Sequence, residues 1–84
     1  MDQSLLEPRL TEAGISFMVN IESTGRPCLI TRDALSHLCH ATGFRMDPMN
    51  TYRAFEARIN SVARRLVFTG SRESPLVLEP RYFP

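Results

Sequence analysis

Four arginines, Arg53, Arg58, Arg64 and Arg65, lie in a stretch from Pro48 to Thr69 that contains a single acid, Glu56. A guanidinium keeps its charge and forks onto carboxylate or phosphate oxygens. Four on one surface would therefore dock an acidic protein or neutralise about two to four phosphates. Between them Tyr52, Phe55, Ile59, Val62 and Leu66 recur at steps of three and four, the pattern of an apolar helix stripe. On a helical projection that stripe centres near about −130° from Arg53, whereas Arg53, Arg64, Arg65 and Arg58 fall at about 0°, 20°, 120° and 140°. The arginines thus lie opposite the core side, with Ala54, Ala57 and Ser61 keeping the surface low among them. The stretch carries +3 against −2 for the rest of the chain. The plainest expectation is a solvated face whose arginines pair with carboxylates elsewhere in the fold. An acidic protein partner ranks next and nucleic acid after it, since neither a helix-turn-helix nor an aromatic RNA-binding motif is present.

A second group, Cys28, His37, Cys39 and His40, offers four soft-metal ligand types within thirteen residues. Zinc needs its donors converging on one tetrahedral point. On a helix His37 and His40 share the polar side with Asp33, while Cys39 falls near the apolar edge with Leu35 and Leu38, so the four point apart. Cys28 alternates with Ile30 and reads as a small buried hydrophobe. No metal and no cofactor is expected, and Asp33 with His37 reads as a helix-stabilising pair. Catalysis finds no support in motifs, because there is no glycine-flanked nucleophile elbow, phosphate-cradling loop or carboxylate pair about a cleft. A domain of this size also has little room for a pocket once its core is filled, so no enzyme is expected. Phe44, Met46 and Met49 form a last apolar group that reads as a plug between helix ends.

The chain that must position these residues is short. Eighty-four residues, 43% hydrophobic and 23% charged, make one small domain, too short for two cores and too apolar for disorder. All ten basic residues are arginine, and the net charge of +1 names no partner by itself. Two cysteines are too few for a disulfide scaffold, and no apolar leader opens the sequence, so reduced thiols and a cytoplasmic location are expected.

Residues 1–13 mix Leu5, Leu6 and Leu10 with Pro8 and charge, and read as an arm outside a domain spanning residues 14–84. Ile15, Phe17, Val19 and Ile21 alternate with Ser16, Met18 and Asn20, the pattern of a half-buried strand. A polar turn over residues 22–25 and a β-prone run from Pro27 to Thr31 complete a hairpin, with Pro27 restricted to a strand start or an edge. Thr31 as N-cap and Gly43 as left-handed terminator bound a first helix over about residues 32–42. Asp47 and Pro48 start a second, ended by Gly70, about 33 Å long if straight. Leu76 to Leu78 reads as a closing strand beside Pro80. The order strand, strand, helix, helix, strand predicts an α+β fold: two antiparallel helices on a three-stranded antiparallel sheet, with strand three antiparallel to strand two.

Gly14-Ile15-Ser16-Phe17, Cys28-Leu29-Ile30-Thr31, Phe55-x-x-Arg58-Ile59 with Ala63-Arg64-Arg65, and Gly70 before a strand ending in Phe83 together resemble the short bacterial proteins grouped as domain of unknown function 1488. The resemblance covers about residues 14 to 83. It implies a small bacterial α+β protein and brings no catalytic residue, ligand or activity with it. The residues and the resemblance lead to one expectation: a non-enzymatic module that binds a protein or itself. Its dimer contact would be an edge strand or the protruding end of the second helix, and a nucleic-acid role through Arg53, Arg58, Arg64 and Arg65 is the alternative. No membrane partner is expected.

Overall fold

The structure is a computed structural model that describes residues 7–43, 45–70 and 72–83. Its elements run β1 (Arg9–Leu10), β2 (Gly14–Ile21), β3 (Thr24–Thr31), α1 (Arg32–Thr42), α2 (Pro48–Ala54), α3 (Glu56–Phe68) and β4 (Leu76–Leu78), closed by a 3-10 turn at Pro80–Tyr82. The strands form one mixed sheet in the order β1-β2-β3-β4. Alternation in β2 works as the sequence pattern demands: Ile15, Phe17, Val19 and Ile21 are buried and Ser16, Met18 and Asn20 exposed. β3 follows a two-residue turn at Glu22 and Ser23, both at positive φ, and pairs antiparallel with Ile15 opposite Ile30 and Phe17 opposite Cys28. A slip of one residue would turn every one of these apolar side chains into water, which is why the register is fixed.

The three helices contact this sheet and share its core: Ala34, Leu35 and Leu38 from α1, Tyr52 from α2, and Ile59, Val62 and Ala63 from α3. Leu76 and Leu78 of β4 and Phe83 join them, and the Phe17 and Tyr52 rings meet at 5.4 Å in a tilted arrangement. Burial of each large side chain contributes about 1.5–3 kcal/mol. The α1 boundaries are those the sequence predicts. Thr31 Oγ1 accepts from the Ala34 N–H at 3.1 Å, and Gly43 is left-handed at φ 75°. At the next start Asp47 Oδ1 accepts from the Asn50 N–H at 2.7 Å, ahead of Pro48. Among the described residues, no helix is long and apolar enough to cross a membrane.

Three expectations need correction. The long second helix is broken at Phe55 (φ −112°, ψ 18°) into α2 and α3. Phe55 N–H still donates to the Thr51 carbonyl and its own carbonyl accepts from Ile59, so the interruption is a bend within a nearly continuous ladder. One turn earlier the buried Thr51 hydroxyl donates back to the Asp47 carbonyl at 3.0 Å, a contact that bends helices. The bend turns two helices into three. The chain enters β4 opposite Cys28 rather than from the far end of β3, so β4 pairs parallel with β3, not antiparallel. The third correction lies in the arm. Arg9 and Leu10 pair with Ser16 and Ile15, so the sheet has four strands and begins before residue 14. The Arg32 side chain holds this corner, donating from Nε to the Glu12 carbonyl at 2.6 Å and from Nη2 to the Thr11 carbonyl at 3.2 Å.

The two strand prolines sit where a missing N–H costs nothing. Pro27 lies on the side of β3 not yet reached by β4, and Pro80 opens the turn after β4 ends.

Candidate interaction surface on the third helix

The apolar stripe of Ile59, Val62 and Ala63 faces the sheet, which leaves the opposite side of α3 to solvent. Arg58, Arg64 and Arg65 are exposed there, as is Arg53 on α2. The bend at Phe55 separates Arg53 from the other three, so the four do not share one straight helical face. Arg53 Nη1 instead lies 3.6 Å from Glu56 Oε2, both side chains about half exposed. A pair so placed contributes about 0.2–0.5 kcal/mol. Arg58 also has an interaction partner within the fold. For Arg64 and Arg65, no ion pair is present among the described residues. Arg65 stands in the last turn of α3, where the helix dipole favours a cation.

Beside these two guanidiniums the structure places a residue the arginine pattern alone did not reveal. Phe68 is 69% exposed, the most open large apolar side chain among the described residues. It follows Arg65 by three and Arg64 by four positions, the spacing of same-face neighbours. The helical projection held the signal, since Phe68 falls at about 60°, between Arg64 and Arg65. Aromatic and arginine side chains are the types enriched in the energetic centres of protein interfaces.

The cysteines and histidines go to four separate tasks. Cys28 has no solvent exposure, and its thiol donates to the Arg26 carbonyl at 3.6 Å. Cys39 is half-buried, and its sulfur accepts from the Met46 N–H at 3.4 Å. The His37 ring reaches the Phe83 carbonyl and ties the chain end to α1. His40 is exposed in the last turn of α1. Among the described residues, no three His, Cys, Asp or Glu side chains converge as a metal site. Of the apolar plug, Met49 packs against the core, Met46 is half-buried, and Phe44 lies outside the described residues.

The structure has more concave surface than the size argument allowed. A hollow of about 320 Å³ is lined by Ser36, Cys39, His40, Gly43, Arg45 and Met46. A second, of about 240 Å³, shares Ser36, Cys39 and Met46 and extends to Thr51 between α1 and α2.

Burial pushes the Cys28 thiol up from 9.0 to about 11, and burial, with the Glu56 charge nearby, pushes the Tyr52 hydroxyl from 10.0 to about 12. Both groups are held neutral in the fold. Their contribution to stability is therefore complete below the ordinary values and is lost as pH rises through about 11 and about 12. Near neutral pH, Cys39 is expected to react with a disulfide reagent while Cys28 stays closed until denaturant is added. Thiol counting before and after unfolding checks this, and rapid reaction of both cysteines in native buffer would refute it.

No protein-family model, curated protein or solved structure matches the chain.

Proposed function

We propose that the chain is a non-enzymatic interaction module of a reducing compartment that meets a protein partner through the outer side of α3. The observation that carries this reading is Phe68, 69% exposed beside Arg64 and Arg65. An exposed phenyl ring gains by burial against a partner, and the two guanidiniums supply charged hydrogen bonds that select an acidic rim around it. Membership of the group called domain of unknown function 1488 belongs to the same proposal and rests on the motifs at residues 14–17, 28–31, 55–65 and 70–83.

A second reading, nucleic acid, has a specific observation in its favour. Two guanidiniums without carboxylate partners among the described residues, next to a ring that a base can stack on, suit a single strand. Salt separates the two. Amide shifts of α3 on adding oligonucleotide that vanish between about 50 and about 200 mM salt would mark phosphate contact. For the protein reading, capture from cell extract is compared for the wild-type chain, Phe68→Ser, and Arg64→Ala with Arg65→Ala. The expected result is a protein retained by wild type and lost by both variants, each with an unchanged circular dichroism spectrum. Equal retention by all three, or none, would remove α3 as the site.

A further inference from the structure

We infer that β2 is a self-pairing edge through which two copies of this chain form one continuous sheet. This is independent of the α3 reading and uses none of its residues. β1 covers only Ile15 and Ser16 of β2. The chain bends at Glu7, where β1 ends its course beside β2. From Phe17 to Ile21, the outer edge of β2 has no strand beside it among the described residues. The hairpin turn determines which groups point there. Ile21 and Thr24 flank a two-residue turn and so form a hydrogen-bonded pair, as do Val19 with Arg26 and Phe17 with Cys28. The N–H and C=O groups of Met18 and Asn20 consequently point away from β3, into the open edge.

This edge lacks the devices that keep a strand solitary. The sequence of β2, GISFMVNI, holds no charge and no proline, and Met18 is 37% exposed. A hollow of about 290 Å³, lined by Met18, Val19, Asn20 and Gly25, opens on the β2–β3 hairpin.

A second copy is the occupant because the edge complements itself. About a two-fold axis at Val19, Met18 faces Asn20 of the partner subunit, and Asn20 faces Met18 of the partner subunit. Each pair then exchanges both of its outward hydrogen bonds. Arg9 keeps its place beside Ser16, so the two copies meet over Met18 to Asn20.

Sedimentation of the full chain over a range of concentrations tests this, together with two variants. Met18→Lys puts a charge on the edge, and Asn20→Pro removes one outward N–H without touching the bonds to β3. The expected result is a wild-type mass of twice 9.6 kDa, falling to one chain in the variants while circular dichroism keeps the native spectrum. A wild-type chain that stays single at every concentration, with this edge open or covered by another segment, would overturn the proposal. So would a dimer that persists in both folded variants, because its contact would lie elsewhere.

Discussion

Gly14→Ala is expected to leave the chain largely unfolded. Gly14 sits at φ 149°, and a Cβ built there would lie 1.9 Å from the Ile30 carbonyl oxygen and 2.9 Å from the Ile30 carbonyl carbon. Both atoms are backbone of β3, held in register by the pairing of Gly14 with Thr31 and of Ile15 with Ile30, so neither has a rotamer to retreat into. The other side is equally constrained. Gly14 N–H donates to the Thr11 carbonyl and side chain, and the Thr11 N–H donates to the Gly14 carbonyl at 2.7 Å. An alanine must therefore part β2 from β3 at the point where the sheet corner meets α1. The cost belongs with the exceptional losses above about 4 kcal/mol, against a total stability of about 5–15 kcal/mol for a folded domain. Gly43→Ala is the control. Gly43 also has positive φ, but nothing lies within 4 Å of the added methyl, so only about 1–2 kcal/mol of conformational strain is expected. Urea unfolding of the two variants checks the contrast, and a Gly14→Ala protein as stable as Gly43→Ala would mean that the corner relaxes.

Phe83→Ala is expected to remove about 3–5 kcal/mol, the usual cost of deleting a buried ring. Phe83 is 1% exposed and among the largest fully buried side chains, although it lies next to the last residue. It is delivered there by the 3-10 turn at Pro80–Tyr82, where the Phe83 N–H donates to the Pro80 carbonyl at 2.9 Å. His37→Ala, which removes only the ring bonded to the Phe83 carbonyl, is expected to cost about 1 kcal/mol. Thermal melts read the difference directly, since about 1 kcal/mol moves the Tm of such a domain by about 4–8 °C. Equal, small shifts for both variants would show that the terminal segment detaches without loss of the core. Because α1 carries that segment, detachment would also free His37, which proton chemical shifts would report.

Both predictions concern the support of the two proposed surfaces rather than the surfaces themselves. The hairpin that Gly14 closes presents the β2 edge. The core that Phe83 completes also holds Ile59 and Val62, whose burial orients Arg64, Arg65 and Phe68 outward.

Sequence reasoning reached the local structure of this chain well. The β2 alternation, the extent of α1, the caps at Thr31 and Asp47 and the left-handed Gly43 all follow from interactions between residues a few positions apart, which a linear pattern encodes directly. The burial of Cys28 follows in the same way, since its neighbour Ile30 shares the strand period.

What the pattern did not carry depends on contacts between distant residues. The bend at Phe55 leaves the helical hydrogen bonds nearly intact and has no proline or glycine to announce it, so an uninterrupted stripe of apolar residues reads as one straight helix. That bend sets the number of helical segments, and the direction of β4 is specified by no residue in Leu76–Leu78. The bend also divides the arginine face, leaving Arg53 with Glu56 and gathering Arg64, Arg65 and Phe68 at the end of α3. The two-residue β1 is too short to have a period, and it exists because Arg32, more than twenty positions away, holds the corner before β2. The amino-acid sequence by itself thus determined β2, the extent of α1, the helix starts and the core positions that follow their periods. The tertiary structure alone decided how the chain crosses its own sheet and which exposed groups become neighbours, because those outcomes are fixed by long-range packing rather than by local spacing.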